Sequence, residues 1–162
     1  MDRKKPTVMM LGRWQPWHDG HQALFKKALE KTGQVCIMVR DVGGVDAGVP
    51  GQNDNPFVFE DVKERITTAL KEAGYNDSQF EIVLVPNIVD ISYGRGVGYT
   101  FTEHNLGEQI HNISATKIRK EMREMGQLTG LIPPERLKKA LYMDDTAEEK
   151  EQLFDETNLP IG

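Results

Sequence analysis

An α/β fold, a parallel sheet with helices on both faces and a helical C-terminal segment, is predicted by three features of this sequence. Apolar runs of strand length occur at Val8 to Leu11, Val35 to Val39 and Ile82 to Val85. Between them the apolar residues recur at helical spacing, and glycine-bearing loops leave the second and third runs. The β-α-β-α-β order favours right-handed crossovers, which put a ligand at the carboxyl ends of the strands.

Taken in order, Val8 to Leu11 is a buried strand, and the turn after it leads to a helix that begins near Gly20 and carries Leu24, Phe25, Ala28 and Leu29 on one face. Asp19 is the expected N-cap of that helix, with Gln22 three residues on. Val35 to Val39 forms the second strand, and Phe59, Val62, Ile66, Ala69, Leu70 and Ala73 mark the second helix. Ile82 to Val85 is the third strand. Ser114 to about Met125 is helical, with Ile118, Met122 and Met125 as its apolar stripe. Two short helices are expected beyond it, one opened by Pro133 and Pro134, the other by the capping pair Thr146 and Glu149. One domain over residues 1–143, with 144–162 as its helical tail, accommodates all of these elements.

Composition limits the function. With 162 residues, 38% of them apolar, the chain can bury a single core without metals or disulfides. Cys36 is the lone cysteine and sits in an apolar run, which predicts a reduced cytoplasmic setting. The apolar run after the charged start is too short for a signal peptide or a membrane span. A net charge of -5 argues against nucleic acid as a partner, so any phosphate site is local. Self-association is left open.

Two stretches carry chemistry. Gly12-Arg13-Trp14-Gln15-Pro16-Trp17-His18-Asp19-Gly20-His21 joins the first strand to the first helix. A helix start there turns unpaired backbone N–H groups and the positive dipole end toward the loop, which suits a phosphate. Gly20 lets a phosphate approach the backbone closely, and the imidazoles of His18 and His21 can donate to phosphate oxygens. Two metal-ligating histidines are the other reading, although no third ligand accompanies them. Trp14 and Trp17 fit either core packing or stacking on a base.

Downstream, Ile113-Ser114-Ala115-Thr116-Lys117-Ile118-Arg119 opens another helix, with Ser114 or Thr116 as cap. Lys117 and Arg119 oppose the helix dipole at that end unless an anion sits in front of them, which points to function; a solvated basic face continuing through Lys120 and Arg123 is the alternative. The loops Asp41 to Asn55 and Ser92 to Gly107 are long for a compact domain, and both leave the expected ligand edge. In the second, Arg95 between Gly94 and Gly96 is suited to an anionic acceptor.

The pair GRWQPWHDGH and ISATKIR resembles the signature of the H-x-G-H nucleotidylyltransferase superfamily, nearest in motif to the archaeal-type nicotinamide mononucleotide adenylyltransferases. Asn55-Pro56-Phe57 fills the place of a third motif between them. The resemblance runs from about Thr7 to Arg123. It implies a Rossmann-like fold and transfer of a nucleoside monophosphate from a Mg²⁺-bound triphosphate to a phosphate-bearing acceptor, with release of pyrophosphate. It further implies that His18, His21, Lys117 and Arg119 act at the transferring phosphates, that Ser114 and Thr116 hold the triphosphate, and that Gly12 and Arg13 line the nucleotide pocket. Gln15 and Trp17, beside Arg95, are candidates for the acceptor. Mg²⁺ would be held by phosphate oxygens and water, with no protein ligand. Trp14, Trp17 and Ala115 depart from the commonest residues of the pattern, and the stretch between Pro86 and Ile113 does not match its acceptor-recognition residues. ATP is the expected triphosphate. A cytidylyltransferase using CTP with a phosphorylated alcohol or a phosphonate is the alternative, and a nucleotide sensor without turnover is a second.

Overall fold

The computed structural model describes residues 1–44, 54–96 and 98–127. Three parallel strands, β1 (Val8–Gly12), β2 (Val35–Arg40) and β3 (Phe80–Val85), form a sheet in the order β1-β2-β3. Helix α1 (Asp19–Thr32) connects the first pair and α2 (Phe59–Glu72) the second. A short helix α3 (Glu108–His111) precedes α4 (Ala115–Glu124). The four-residue α3 was not expected, since one helical turn is too short to show a periodicity. The helices expected after Pro133 and Thr146, the tail 144–162 and most of the first long loop lie outside the described residues.

Each strand is placed by its alternating side chains. Val35, Ile37 and Val39 of β2 are buried, and the register pairs them with Phe80, Ile82 and Leu84 of β3. Val35, Ile37, Val39, Phe80 and Ile82 share one core with Phe25 and Ala28 of α1 and with Val62, Ile66 and Leu70 of α2. Two successive right-handed crossovers moving the same way across the sheet put α1 and α2 on that one face. Fully burying a side chain such as Ile37 or Leu70 contributes about 1.5–3 kcal/mol, so this layer holds the strand ends in register. On the other face are Cys36, Met38 and Arg40, all half-buried. Burial pushes the Cys36 thiol up, with the Glu81 carboxylate adding to the effect.

Helix α1 ends where Gly33 takes φ 82 and its N–H bonds the Leu29 carbonyl, a conformation that glycine adopts without a Cβ clash. Long loops then leave the carboxyl edge at β2 and β3. The first is closed at its neck: Gly44 N–H donates to the Asn55 carbonyl at 2.6 Å, and a Cβ on Gly43 would lie 3.1 Å from the Phe57 carbonyl oxygen.

Candidate active site

The turn from β1 to α1 is built from buried side chains. Trp14, fully buried with φ 55, donates from Nε1 to the Met38 carbonyl at 3.0 Å and so ties the turn to β2. Gln15 grips Phe57 from both sides, its Nε2 donating to the Phe57 carbonyl and its Oε1 accepting from the Phe57 N–H, each at 2.9 Å. The Gln15–Pro16 peptide is cis. Trp17 joins the core and donates to Gln22 Oε1 at 2.8 Å, while Gln22 Nε2 reaches the Ala69 carbonyl of α2. The amide of Gln15 and the indole N–H of Trp17, expected to face an acceptor, thus meet partners inside the protein.

The cap of α1 corrects the sequence expectation. His18 is the N-cap, not Asp19, and its partner three residues on is His21, not Gln22. Gly20 N–H donates to His18 Nδ1 at 3.0 Å, and His18 N–H donates to His21 Nδ1 at 3.1 Å. Histidine is not among the usual capping residues, so the sequence rule favoured the neighbouring carboxylate. Asp19 instead occupies the first turn, where its charge still suits the dipole.

This geometry fixes the chemistry of both rings. A nitrogen that accepts a hydrogen bond carries no proton, so each neutral imidazole bears its hydrogen on Nε2. The rings stack with centroids 3.6 Å apart and planes 20° from parallel. His21 is buried against Trp14, which meets it edge-on at 4.7 Å. Burial, aided by neighbouring His18, holds His21 well below the usual histidine pKa. The pair therefore presents Nε2–H donors, and His21 does so without carrying the positive charge of imidazolium. Both Nδ1 atoms are taken by backbone N–H groups, which rules them out as metal ligands in this arrangement. Gly20 makes room for the first ring, since a Cβ there would lie 2.8 Å from His18 Cε1.

Helix α4 brings the second motif to the first. Ser114 caps it, its hydroxyl accepting from the Lys117 N–H at 3.4 Å. Thr116 and Arg119 are buried on the inner face. Arg119 donates from Nη1 to the Gln15 carbonyl at 2.9 Å and from Nη2 to Thr116 Oγ1 at 3.3 Å. Lys117 is exposed on the same first turn. Ile110 of α3 would come within 3.6 Å of a Cβ on Gly20, so α3 flanks the start of α1.

Gly12 and Arg13 are buried at the end of β1. Arg95 lies exposed in the loop after β3, among exposed Ile91, Tyr93 and Tyr99. Sequence reasoning missed Arg40, the last residue of β2. Both Nε and Nη2 of Arg40 donate to Asn87 Oδ1, at 3.2 and 2.9 Å. Burial and the nearby Arg13 guanidinium lower its pKa. As the one charged residue of an otherwise apolar strand, placed at its carboxyl end, Arg40 could have been singled out. Among the described residues no cluster of three or more histidine, cysteine, aspartate or glutamate side chains could hold a metal ion.

No family model matches the chain. It is 26% identical to a nicotinamide-nucleotide adenylyltransferase of Methanococcus maripaludis, over 81% of this chain and 86% of that protein. It is 31% identical to the protein of the same name from Saccharolobus solfataricus, over 48% of this chain and 42% of the relative. The chain is a nucleotidyltransferase. It is related to the archaeal nicotinamide-nucleotide adenylyltransferases, as its H-x-G-H and I-S-A-T-x-I-R segments imply. A crystal structure of a bifunctional NMN adenylyltransferase/ADP ribose pyrophosphatase from Francisella tularensis, complexed with AMP and a manganese ion, is 28% identical over 51% of this chain and 22% of that one, with a TM-score of 0.40. Among the described residues of the nucleotidyltransferase, no helix is long and apolar enough to cross a membrane.

Proposed function

We propose that this nucleotidyltransferase transfers AMP from ATP to a phosphate-bearing small molecule, with nicotinamide mononucleotide as the first acceptor to test. One observation carries the reading: His18 and His21 cap α1 through Nδ1, which leaves the protons of both rings on Nε2 at the mouth of a helix start. An acceptor phosphate oxygen attacks the α-phosphorus in line. A new P–O bond forms, the bond to the bridging oxygen of the β-phosphate breaks, and pyrophosphate leaves with that electron pair. The acceptor oxygen is anionic at neutral pH and needs no base, so catalysis rests on alignment and on charge stabilisation.

In this reading His18 and His21 donate to oxygens of the transferring phosphoryl group. Ser114, Thr116 and the N–H groups opening α4 hold the β and γ phosphates, and Lys117 and Arg119 offset charge on the departing pyrophosphate. Gly12 and Gly20 allow close approach of the nucleotide, and Arg13 faces its phosphates. A divalent ion, Mg²⁺ in our reading, arrives with the triphosphate and supplies further charge neutralisation; the histidine Nδ1 atoms are committed to the cap, which fits an ion held by phosphate oxygens. Arg95 is assigned to the acceptor side, and the lone half-buried Cys36 fits a reduced cytoplasmic setting.

Incubation with ATP or CTP singly, across a panel of phosphorylated acceptors that includes nicotinamide mononucleotide, tests the reading through pyrophosphate release. Release with ATP is expected. Release with CTP alone would make the chain a cytidylyltransferase, and tight triphosphate binding with no release for any acceptor would make it a sensor.

A further inference from the structure

A second cationic group stands beside the histidine turn. Gly12, the last residue of β1, pairs with Val39 in the register of β1 and β2, so Arg13 leaves β1 beside Arg40, the last residue of β2. Arg40 pairs in turn with Val85, two residues before Asn87, and the side-chain Oδ1 of Asn87 accepts from both Nε and Nη2 of Arg40. A neutral amide thus orients the guanidinium without cancelling its charge. The Asp41 N–H continues the ladder to the Val85 carbonyl, which turns the Asp41 side chain to the opposite face from Arg40.

Burial, and after it the Arg13 guanidinium, disfavour the charge of Arg40, so an anion bound at Arg40 would offset both effects. Position separates this group from the expected triphosphate site. The α4 anchor meets the turn after β1 through Arg119, whereas Arg40 and Asn87 sit over the next two strand ends. In-line transfer requires acceptor and leaving group on opposite sides of the α-phosphorus, so a cation displaced from α4 is placed for the acceptor.

We propose that Arg40, oriented by Asn87, forms an anion subsite that grips the phosphate of the acceptor. The subsite rests on the transferase reading above. Nη1 and the outer hydrogen of Nη2 form a fork suited to two oxygens of one phosphate. Arg40 binds substrate in this scheme, and Asn87 is a positioning residue.

The test uses the whole chain with a non-hydrolysable ATP analogue filling the triphosphate site, titrated calorimetrically with inorganic phosphate and with nicotinamide mononucleotide. Affinity for the analogue is measured first and reports separately on the transferase reading. The parent is expected to bind phosphate beside the analogue. Arg40→Gln should weaken phosphate by roughly tenfold or more, the loss of about 1.4 kcal/mol, with analogue affinity unchanged. Arg40→Lys should fall between, since it keeps the charge and loses the fork. Asn87→Ala should weaken phosphate less than Arg40→Gln does. No phosphate binding in the parent, equal binding in parent and Arg40→Gln, or a parallel fall in analogue affinity would each overturn the subsite. Phosphate binding that depends on Arg40, without pyrophosphate release for any acceptor, would sink the transferase reading and with it the acceptor assignment, leaving only an anion site at Arg40.

Discussion

Arg119 Nη1 donates to the main-chain carbonyl of Gln15 at 2.9 Å across 104 residues of sequence, and Gln15 in turn holds Phe57 by its side chain. Three separate sequence motifs are therefore joined by the hydrogen bonds of two buried residues. A charged guanidinium bonded to a neutral carbonyl retains most of its field. The same contact that fixes α4 against the β1–α1 turn thus leaves positive potential near the proposed triphosphate.

Arg119→Ala removes both the tie and the potential. Stability should fall by about 1.5–3 kcal/mol, the range for a hydrogen bond to a charged group, and the Michaelis constant for triphosphate should rise. Urea unfolding and triphosphate kinetics check the two effects separately. An unchanged midpoint together with an unchanged Michaelis constant would discard both.

His21→Ala deletes one Nε2–H donor and the acceptor of the His18 N–H. Turnover is expected to drop roughly 100-fold or more, as for other preorganised donors at a reacting oxygen. Loss of a cap costs only about 0.5–2 kcal/mol, so the variant should remain folded by circular dichroism. Near-normal turnover in that folded variant would remove His21 from the chemistry.

Gly20→Ala tests the first ring without touching either imidazole. Its new Cβ would sit 2.8 Å from His18 Cε1, closer than carbon atoms approach, so the His18 ring must shift. A fall in turnover of roughly tenfold or more, with the fold kept, is expected from the misplaced donor. Parent-like turnover would mean that the His18 position is not critical.

Stability should decline with acid through His21. Its folded-state pKa lies well below the unfolded value of about 6.5, because burial and His18 disfavour the charged form. The unfolded chain then binds more protons between the two values, so stability is complete above about 6.5 and is lost as pH falls from there toward the folded pKa. Melting temperatures measured from pH 8 downward should show this slope in the parent and a smaller one in His21→Gln. Identical slopes would show that acid sensitivity arises elsewhere.

The local pattern alone set out strands at Val8 to Leu11, Val35 to Val39 and Ile82 to Val85 and the helices between them, because apolar period and burial report the same face; pairing in the sheet extends them to Gly12 and Arg40 and back to Phe80. It also marked His18, His21, Ser114, Thr116 and Arg119, since a strand-to-helix turn and a basic helix start are legible as spacing. Which side chain capped α1 was decided only by the fold. Asp19 satisfied the capping rule, yet the stacked rings of His18 and His21 take the N–H groups, and they can do so because Gly20 leaves room and Trp14 packs behind His21. Gln15 and Trp17 were drawn inward for a related reason, as their polar atoms find partners on Phe57 and Gln22 that no spacing rule connects. Arg40 and Arg13 become neighbours through the parallel register of β1 and β2, a relationship that exists only once the strands pair. The sequence by itself determined the order of elements and the chemical groups at the strand ends; the tertiary structure decided which groups face inward, because burial requires every polar atom to find a partner and only long-range packing supplies them.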